Sequence, residues 1–288
     1  MPKTSHPSFI LGTMRWGAWG ANLSVATAAE LLRSGVSMGI TTFDLADIYG
    51  DYTTEALFGE ALKASGVARD EVEIISKCAI VLPSTLHVKH YNTSRDYILA
   101  SVERSLAQIG TDYLDTLLIH RPSPLMDLHE IAETFHQLQE SGQVKQFGVS
   151  NFDVYAFEQL NALFPLVTNQ LELSLNQPQA LFDNTLLQLR TLHKSIQVWS
   201  PLGSYFSDPS SAQNQRIRSV LIRLCEKYQA DESQMLIAWA QYRQPNAAVI
   251  LGSSNINRIR SMVDSVHLQL DDADWFELLE ASRGHEVA

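Results

Sequence analysis

Four side chains spaced along this 288-residue sequence could, if brought together, hand a proton to an oxygen atom. Asp44 stands where the apolar run Ile40–Phe43 turns polar, and Tyr49 follows a few positions later, just ahead of Gly50. Lys77 follows the run Val72–Ser76, and His120 follows Leu114–Ile119. A phenol with an ordinary pKa of about 10 is a weak acid at neutral pH. A neighbouring ammonium favours the phenolate and lowers that value, and an aspartate paired with the lysine keeps it protonated and in place. A histidine within reach can orient a carbonyl oxygen beside the tyrosine. Such a set suits protonation of an oxygen on which negative charge is developing. Each member also has an ordinary role open to it: Asp44 as a helix cap, Tyr49 as loop packing, Lys77 as a rim cation, His120 as a satisfied histidine before Arg121-Pro122.

Whether the four meet depends on the elements that carry them. Short apolar runs alternate with helical patterns along the whole chain. The runs are Phe9–Leu11, Ile40–Asp44, Val72–Ser76, Leu114–Ile119, Val144–Val149, Leu166–Asn169, Ile196–Trp199 and Ala248–Leu251. Between them, helices are expected over Val25–Met38, Thr54–Ser65, Ser94–Gln108, Leu128–Glu140, Phe152–Phe164 and Gln179–His193. The C-terminal part adds Ile217–Tyr228, Glu232–Tyr242, Ile256–Ser265 and Ala273–Leu279. Eight strand–helix units at about 36 residues each match the pace of a (β/α)8 TIM barrel, here with extra C-terminal helices. The strands are apolar throughout, as parallel strands covered on both faces must be. A doubly wound open sheet competes, but a count of eight with nothing left over favours the barrel, as one domain over 1–288. A barrel builds its site at the carboxyl ends of its strands. Those ends carry Thr13, Asp44, Lys77, His120, Ser150-Asn151, Gln170, Trp199-Ser200 and Gly252-Ser253, polar or aromatic at each position.

Composition narrows the partners. A net charge of −11 argues against nucleic acid or an anionic membrane, because no basic stripe survives easily on that background. Two distant cysteines, Cys78 and Cys225, make neither a disulfide framework nor a metal cluster. Met1–Ser8 lacks the apolar core of a signal peptide, so the cytoplasm is the expected compartment. His87 and His90 have a spacing that two metal ligands could use, but no third ligand is near, so no metal is expected. Cys78 reads as a small strand residue, with no local histidine to activate it. The chain has no Gly-x-Gly-x-x-Gly and no phosphate-loop Gly-Lys-Ser/Thr, so any nucleotide must be held in another way.

The chain resembles the aldo-keto reductase superfamily, closest to bacterial oxidoreductases with short active-site loops. The resemblance rests on Gly12-Thr13-Met14, Phe43-Asp44-Leu45-Ala46-Asp47-Ile48-Tyr49-Gly50, Ile75-Ser76-Lys77 and Asp115 through His120. It continues through Gly148-Val149-Ser150-Asn151-Phe152, Asn169-Gln170, Trp199-Ser200-Pro201-Leu202-Gly203, and Gly252-Ser253 to Arg258, all in family order. It implies NADPH-dependent reduction of an aldehyde or ketone to an alcohol, with a small carbonyl substrate and NADP+ as the spent cofactor. Asp44, Tyr49, Lys77 and His120 match the catalytic tetrad: Tyr49 the general acid, Lys77 and Asp44 its tuning pair, His120 the orienter of the carbonyl. Ser150, Asn151 and Gln170 match the contacts to the nicotinamide carboxamide, and Trp199 the aromatic that stacks on the ring. Ser200, Leu202 and Gly203 would follow the diphosphate, with Gly12, Thr13 and Met14 also among the cofactor-binding residues. Gly252, Ser253 and Arg258 fall where the family holds the 2′-phosphate, near a helix N-terminus.

Two departures bear on the cofactor. Gly252 stands where the family often has a lysine, and Ser261-Met262 where it often has Glu-Asn. The preference for NADPH over NADH therefore rests on Arg258. Specificity loops are expected at Ile80–Tyr91, Pro122–Asp127 and Ser204–Gln215, the last as a flap over the diphosphate. Only Ser282–Ala288 follow the final expected helix, which points to an open site and loose specificity for small aldehydes. A monomer or weak oligomer is expected. The competing reading on the same fold is a non-catalytic NADP(H)-sensing subunit, which has no need of all four tetrad residues. A Schiff-base enzyme using Lys77 would leave Trp199, Asn151 and Gln170 unexplained.

Overall fold

The computed structural model describes residues 8–244 and 246–288. The stretch 1–7, on which the reading of a missing leader falls, lies outside the described residues. Eight strands form the barrel: β1 (Phe9–Gly12), β2 (Thr42–Asp44), β3 (Glu73–Cys78), β4 (Leu114–Ile119), β5 (Val144–Ser150), β6 (Thr168–Glu172), β7 (Ser195–Trp199) and β8 (Ala247–Leu251). Their order is β1-β8-β7-β6-β5-β4-β3-β2, closed on itself. Parallel pairing sets Asp44 opposite Gly12 and Ile75, Lys77 opposite Leu118, and Ser150 opposite Gln170. All of β1, β2 and β8 is buried, which is why those strands carry no alternating polar face.

Besides a single helical turn at Tyr49–Tyr52, the helices among the described residues are α1 (Val25–Ser37), α2 (Thr54–Ser65), α3 (Arg95–Ile109), α4 (Leu128–Glu140), α5 (Val154–Leu163), α6 (Thr185–Thr191), α7 (Ala212–Tyr228), α8 (Glu232–Gln241), α9 (Ile256–Asp264) and α10 (Asp272–Arg283). Their ends follow local chemistry. Ser24, Asp127, Asp153 and Asp231 accept backbone N–H groups that would otherwise be unsatisfied at helix starts. Gly66 and Gly110 close α2 and α3 in the left-handed conformation, at φ of 73° each.

Several boundaries differ from expectation for identifiable reasons. The helix expected over Gln179–His193 is a short 3-10 turn at Gln179–Leu181 and then α6. Asn184 turns left-handed at φ 70°, and Asp183 accepts both the amide and the hydroxyl of Thr185, which starts the helix afresh. Helix α5 starts at Val154 and not at Phe152, because Asn151 is left-handed at φ 55° and the Phe152 amide donates to Asn169. Strand β6 starts later than expected, since Asn161 takes the Leu166 amide. The loop Ile80–Tyr91 contains a small antiparallel hairpin that pairs Ile80 with Tyr91 and Val81 with His90. Ser211 caps α7 earlier than Ile217, and α10 runs to Arg283.

The backbone groups into two compact units, Ile10–Gln170 with Gly252–Ile256, and a second made chiefly of Leu171–Leu251 with Asn257–Ala288. In the first, Phe58 of α2 packs on Phe43 of β2 and on Trp16, with ring centroids 5.4 and 6.2 Å apart. In the second, Trp239 of α8 stacks on Trp275 of α10 at 5.2 Å, and each indole donates to the other's carbonyl. Among the described residues no helix is long and apolar enough to cross a membrane.

Gly59 of α2 lies close against the end of α3. A methyl there would lie 2.4 Å from the Ile109 carbonyl oxygen at the end of α3. Gly59→Ala should therefore destabilise the protein by about 1–3 kcal/mol, despite alanine's better helix propensity. Urea unfolding measures this, and an unchanged midpoint would contradict the packing described.

Candidate active site

Lys77 lies inside β3, one residue short of its end, and the residue is 1% exposed. A buried ammonium must have all three protons accepted. Its Nζ donates to Asp44 Oδ2 at 2.7 Å, to the Leu45 carbonyl at 2.7 Å and to the Tyr49 hydroxyl oxygen at 3.1 Å. Three acceptors from one loop thus meet three donors. Asp44 is the anchor of Lys77 and not a helix cap.

Asp44 is held in turn. Gln170 of β6 donates to its Oδ1 at 2.8 Å, and both the amide and the hydroxyl of Thr13 donate to its carbonyl at 3.0 Å. The rest of the loop is pinned to β3 by its backbone: the Leu45 amide donates to Ile75 and the Asp47 amide to Lys77. At Gly50 the chain goes left-handed, at φ 58°, and a Cβ there would come within 2.6 Å of Thr54 Oγ1. Glycine after Tyr49 is therefore required by both conformation and space.

Charge in this pocket follows burial. Burial raises the Tyr49 phenol above its ordinary value, and the opposing pull of the Lys77 ammonium is the smaller effect. That corrects the expected lowering. Burial pulls Lys77 downward, yet the charges of Asp44 and Tyr49 leave it above its ordinary value. His120 is well below its ordinary value, through burial first and then the charges of Lys77, Arg121 and Lys89. Its imidazole is therefore neutral at neutral pH, and its ring lies edge-on to Tyr49 at 6.0 Å. Tyr49 accepts from Lys77 and keeps its own O–H proton to donate.

The first unit also contains Gly12, Met14, Ser150, Asn151, Gly252 and Ser253. Gly12 and Thr13 are buried, and Met14 is exposed. Ser150 donates to the Gln170 carbonyl and accepts from Asn151 Nδ2 and from Arg121. Gln170, expected to face a carboxamide, has its Nε2 on Asp44. A side chain built at Gly252 would meet nothing within 4 Å, and Ser253 Oγ accepts the Asn255 amide just before α9.

The second unit contains Trp199, Ser200, Leu202, Gly203 and Arg258. Trp199 ends β7 half-buried, and Ser200 and Gly203 turn left-handed at φ 55° and 52°. A Cβ at Gly203 would lie 2.3 Å from Asn176 Oδ1, which accepts the Ser204 amide. Asn214 donates to the Ser204 and Asp208 carbonyls, and Tyr205 donates to Glu232, so the expected flap is fastened at several points. Arg258 is exposed in the first turn of α9. Ser261 bonds to Asp231 and Gln234, and Met262 is buried, so neither is presented for an adenine contact.

Each unit by itself carries residues of the kinds that a phosphorylated dinucleotide uses: Ser253 offers a hydroxyl in the first, and Arg258 an exposed cation in the second. Asn151 and Ser200 are non-glycine residues in the left-handed region at strand ends, a strain that tends to persist at binding sites.

Several residues escaped the sequence reading. The Leu45 carbonyl completes the Lys77 cluster, yet a backbone acceptor leaves no mark in the residue code, and Thr13, expected at the cofactor, bonds to Asp44 instead. Trp19 lies edge-on to Tyr49 at 6.2 Å while donating to Asp51. Its only signal was an aromatic in the first loop. Arg121 donates to the His120 carbonyl and to Ser150. Other expectations concern groups away from this cluster. His87 and His90 lie edge to edge at 5.1 Å on the hairpin, and no group of three metal ligands occurs among the described residues. Cys78 is buried, with its thiol pushed well up by that burial, as suits an inert strand residue.

A sequence model of the Aldo/keto reductase family matches residues 8–283. The chain is 39% identical to 6-dehydroglucose reductase of Agrobacterium fabrum, over 96% of this chain and 96% of that protein. It is also 39% identical to oxidoreductase YdhF of Escherichia coli, over 97% and 94% respectively. The crystal structure of a thermostable aldo-keto reductase with the inhibitor epalrestat matches with a TM-score of 0.80 at 26% identity, covering 96% of this chain and 95% of that one.

Removing Lys77 should expose the cost of the buried pair. Lys77→Met leaves Asp44 as an unpaired buried charge and should cost about 3–5 kcal/mol in denaturant unfolding. The double variant Asp44→Asn, Lys77→Met should recover much of that loss. A single-variant loss of about 1 kcal/mol or less, as for surface pairs, would contradict this account.

Proposed function

The chain belongs to the aldo/keto reductase family, and from that premise we propose that it reduces aldehydes or ketones to alcohols with NADPH. The observation that carries this reading is the saturated Lys77 ammonium, which donates to the Tyr49 hydroxyl oxygen and so leaves that hydroxyl its own proton to give. A bound nicotinamide supplies the hydride that goes to the carbonyl carbon. Tyr49 donates the proton as charge builds on the carbonyl oxygen. Its raised pKa keeps that proton in place across the working range, and the ammonium stabilises the phenolate left behind. Neutral His120 offers a ring N–H to the same oxygen without competing as an acid. Asp44 keeps Lys77 charged, and Gln170 and Thr13 keep Asp44 aimed.

Ser253 and Arg258 are the residues we assign to the 2′-phosphate, with Trp199 against the nicotinamide ring and Ser150 and Asn151 at its carboxamide. Gly252 offers no cation there, so Arg258 alone carries the discrimination. For substrate, the relative named for 6-dehydroglucose supports including polyhydroxylated aldehydes beside simple aromatic ones. A non-catalytic nucleotide sensor would need no proton donor of this construction.

Tyr49→Phe should lower kcat by on the order of 100- to 10,000-fold while NADPH still quenches tryptophan fluorescence. Unchanged turnover in that variant would remove Tyr49 from the reaction. Arg258→Ala should weaken NADPH binding and leave NADH binding nearly unchanged. Equal kcat/KM for the two cofactors in the unaltered protein would contradict the proposed preference.

A further inference from the structure

Directly behind the tetrad lies a second group of buried ionisable side chains that the reaction does not use. Asp47 belongs to the same loop as Asp44 and Tyr49, and it is 3% exposed. Its amide donates to the Lys77 carbonyl at 3.0 Å, so its backbone is part of the tie between that loop and β3. Neither of its carboxyl oxygens has a well-formed hydrogen bond among the described residues, and the amide of the next residue, Ile48, exerts only a weak pull. Glu55 of α2, 1% exposed, is the nearby acid, and it accepts the Ser76 hydroxyl at 2.5 Å. Ser76 is the strand neighbour of Lys77, so the two residues face opposite sides of β3, one toward the tetrad and one toward Glu55.

The charged and titratable groups around Asp47 come from three elements besides its own loop. Lys77 and Cys78 come from β3, Glu55 from α2, and Arg104 and Tyr97 from α3. Lys77 is already matched by Asp44 at 2.7 Å. Arg104 donates to Ser101, and its guanidinium lies 5.7 Å over the Tyr97 ring. The Tyr97 hydroxyl donates to the Ile80 carbonyl. An ionised Asp47 would thus be a desolvated anion, unpaired and facing a second carboxyl, which is among the costliest arrangements a protein interior can hold. Burial first and Glu55 second push Asp47 up to about 8, against weaker opposing pulls from the Ile48 amide, Arg104 and Lys77.

We propose that Asp47 is a positioning residue that works as an uncharged carboxylic acid, and that the Tyr49 loop keeps its place on Lys77 only while Asp47 holds its proton. The inference rests on the reductase reading for its kinetic consequence, but not for its structural one. An Asp raised in the folded state binds a proton that the unfolded chain has released. The stability it contributes is full below the unfolded value near 3.9 and is lost as pH rises toward the folded value. Loss of the proton breaks no catalytic contact directly. It drives the carboxylate toward solvent and carries with it the loop between Asp44 and Tyr49.

The test compares the 288-residue protein with its Asp47→Asn variant, whose amide is neutral at every pH and nearly the same shape. In the unaltered protein, Tm should fall as pH rises from about 4 to about 8 and level above that, while kcat/KM with NADPH and an aromatic aldehyde should fall between pH 7 and about 9, below the range where Tyr49 itself titrates. In Asp47→Asn the fall in Tm from about pH 4 to 8 should be shallower and kcat/KM should stay level over pH 7–9, with kcat/KM at pH 7 within about 3-fold of the unaltered value. Hydrogen-exchange protection of amides 45–52, corrected for intrinsic rates, should drop with pH only when Asp47 is present. Should Asp47→Asn fail to fold, Asp47→Leu supplies the same neutrality at similar volume. Parallel pH profiles in the two proteins would overturn the proposal, as would a shallower fall in Tm with an unlevelled kcat/KM and unchanged protection. If no carbonyl compound is turned over at all, the reductase reading fails by itself, and Tm with loop protection still decides whether Asp47 must be protonated.

Discussion

A lysine ammonium without water around it needs three acceptors in fixed directions, and much of the first unit supplies them. Two of the acceptors are side chains and one is the backbone carbonyl of Leu45. Each must arrive from a loop that begins in β2, while Lys77 itself begins in β3, so the register of those strands is set as tightly as the bonds. Thr13 at the end of β1 and Gln170 in β6 then hold Asp44 from two further directions. The desolvation penalty of two buried charges is several kcal/mol for each ion, and only near-complete hydrogen bonding offsets it. The pocket is therefore preorganised because a looser arrangement would leave a charge unpaired.

That constraint also sets the acid–base character of the site. Burial acts on Tyr49, Lys77 and His120, but its sign depends on which form is charged. It keeps the phenol of Tyr49 protonated and the imidazole of His120 unprotonated, so one is ready to give a proton and the other is not a competing acid. Lys77 is the exception, staying charged because Asp44 and Tyr49 outweigh the same burial. Asp47 shows the other outcome: a carboxyl in the same loop with no cation bonded to it rises with burial.

The fold was largely legible, since parallel strands buried on both faces must be apolar throughout and their ends must be polar. Where reading by pattern failed, a side chain had replaced a backbone partner. Asp183 and Asn184 divide a helix, Asn161 delays β6, and Asn169 keeps Phe152 out of α5. Asn and Asp compete for backbone groups in ways that hydrophobic periodicity does not register. The tetrad was legible as four residue types at strand ends. The direction of the Tyr49 shift was not, because the sequence displays the lysine's charge but gives no measure of burial.

The sequence by itself determined the alternation of elements, the residue types at the mouth of the barrel, and the glycine after Tyr49. These follow from local rules: strand burial, turn conformation and the chemical identity of side chains. Tertiary structure alone decided that Gln170 serves Asp44, that Leu45 contributes a carbonyl to Lys77, and that Asp47 is buried near Glu55 with no cation bonded to it among the described residues. Those outcomes depend on distances between residues up to 126 positions apart in the chain. Such distances come from barrel closure and strand register, which no local pattern encodes.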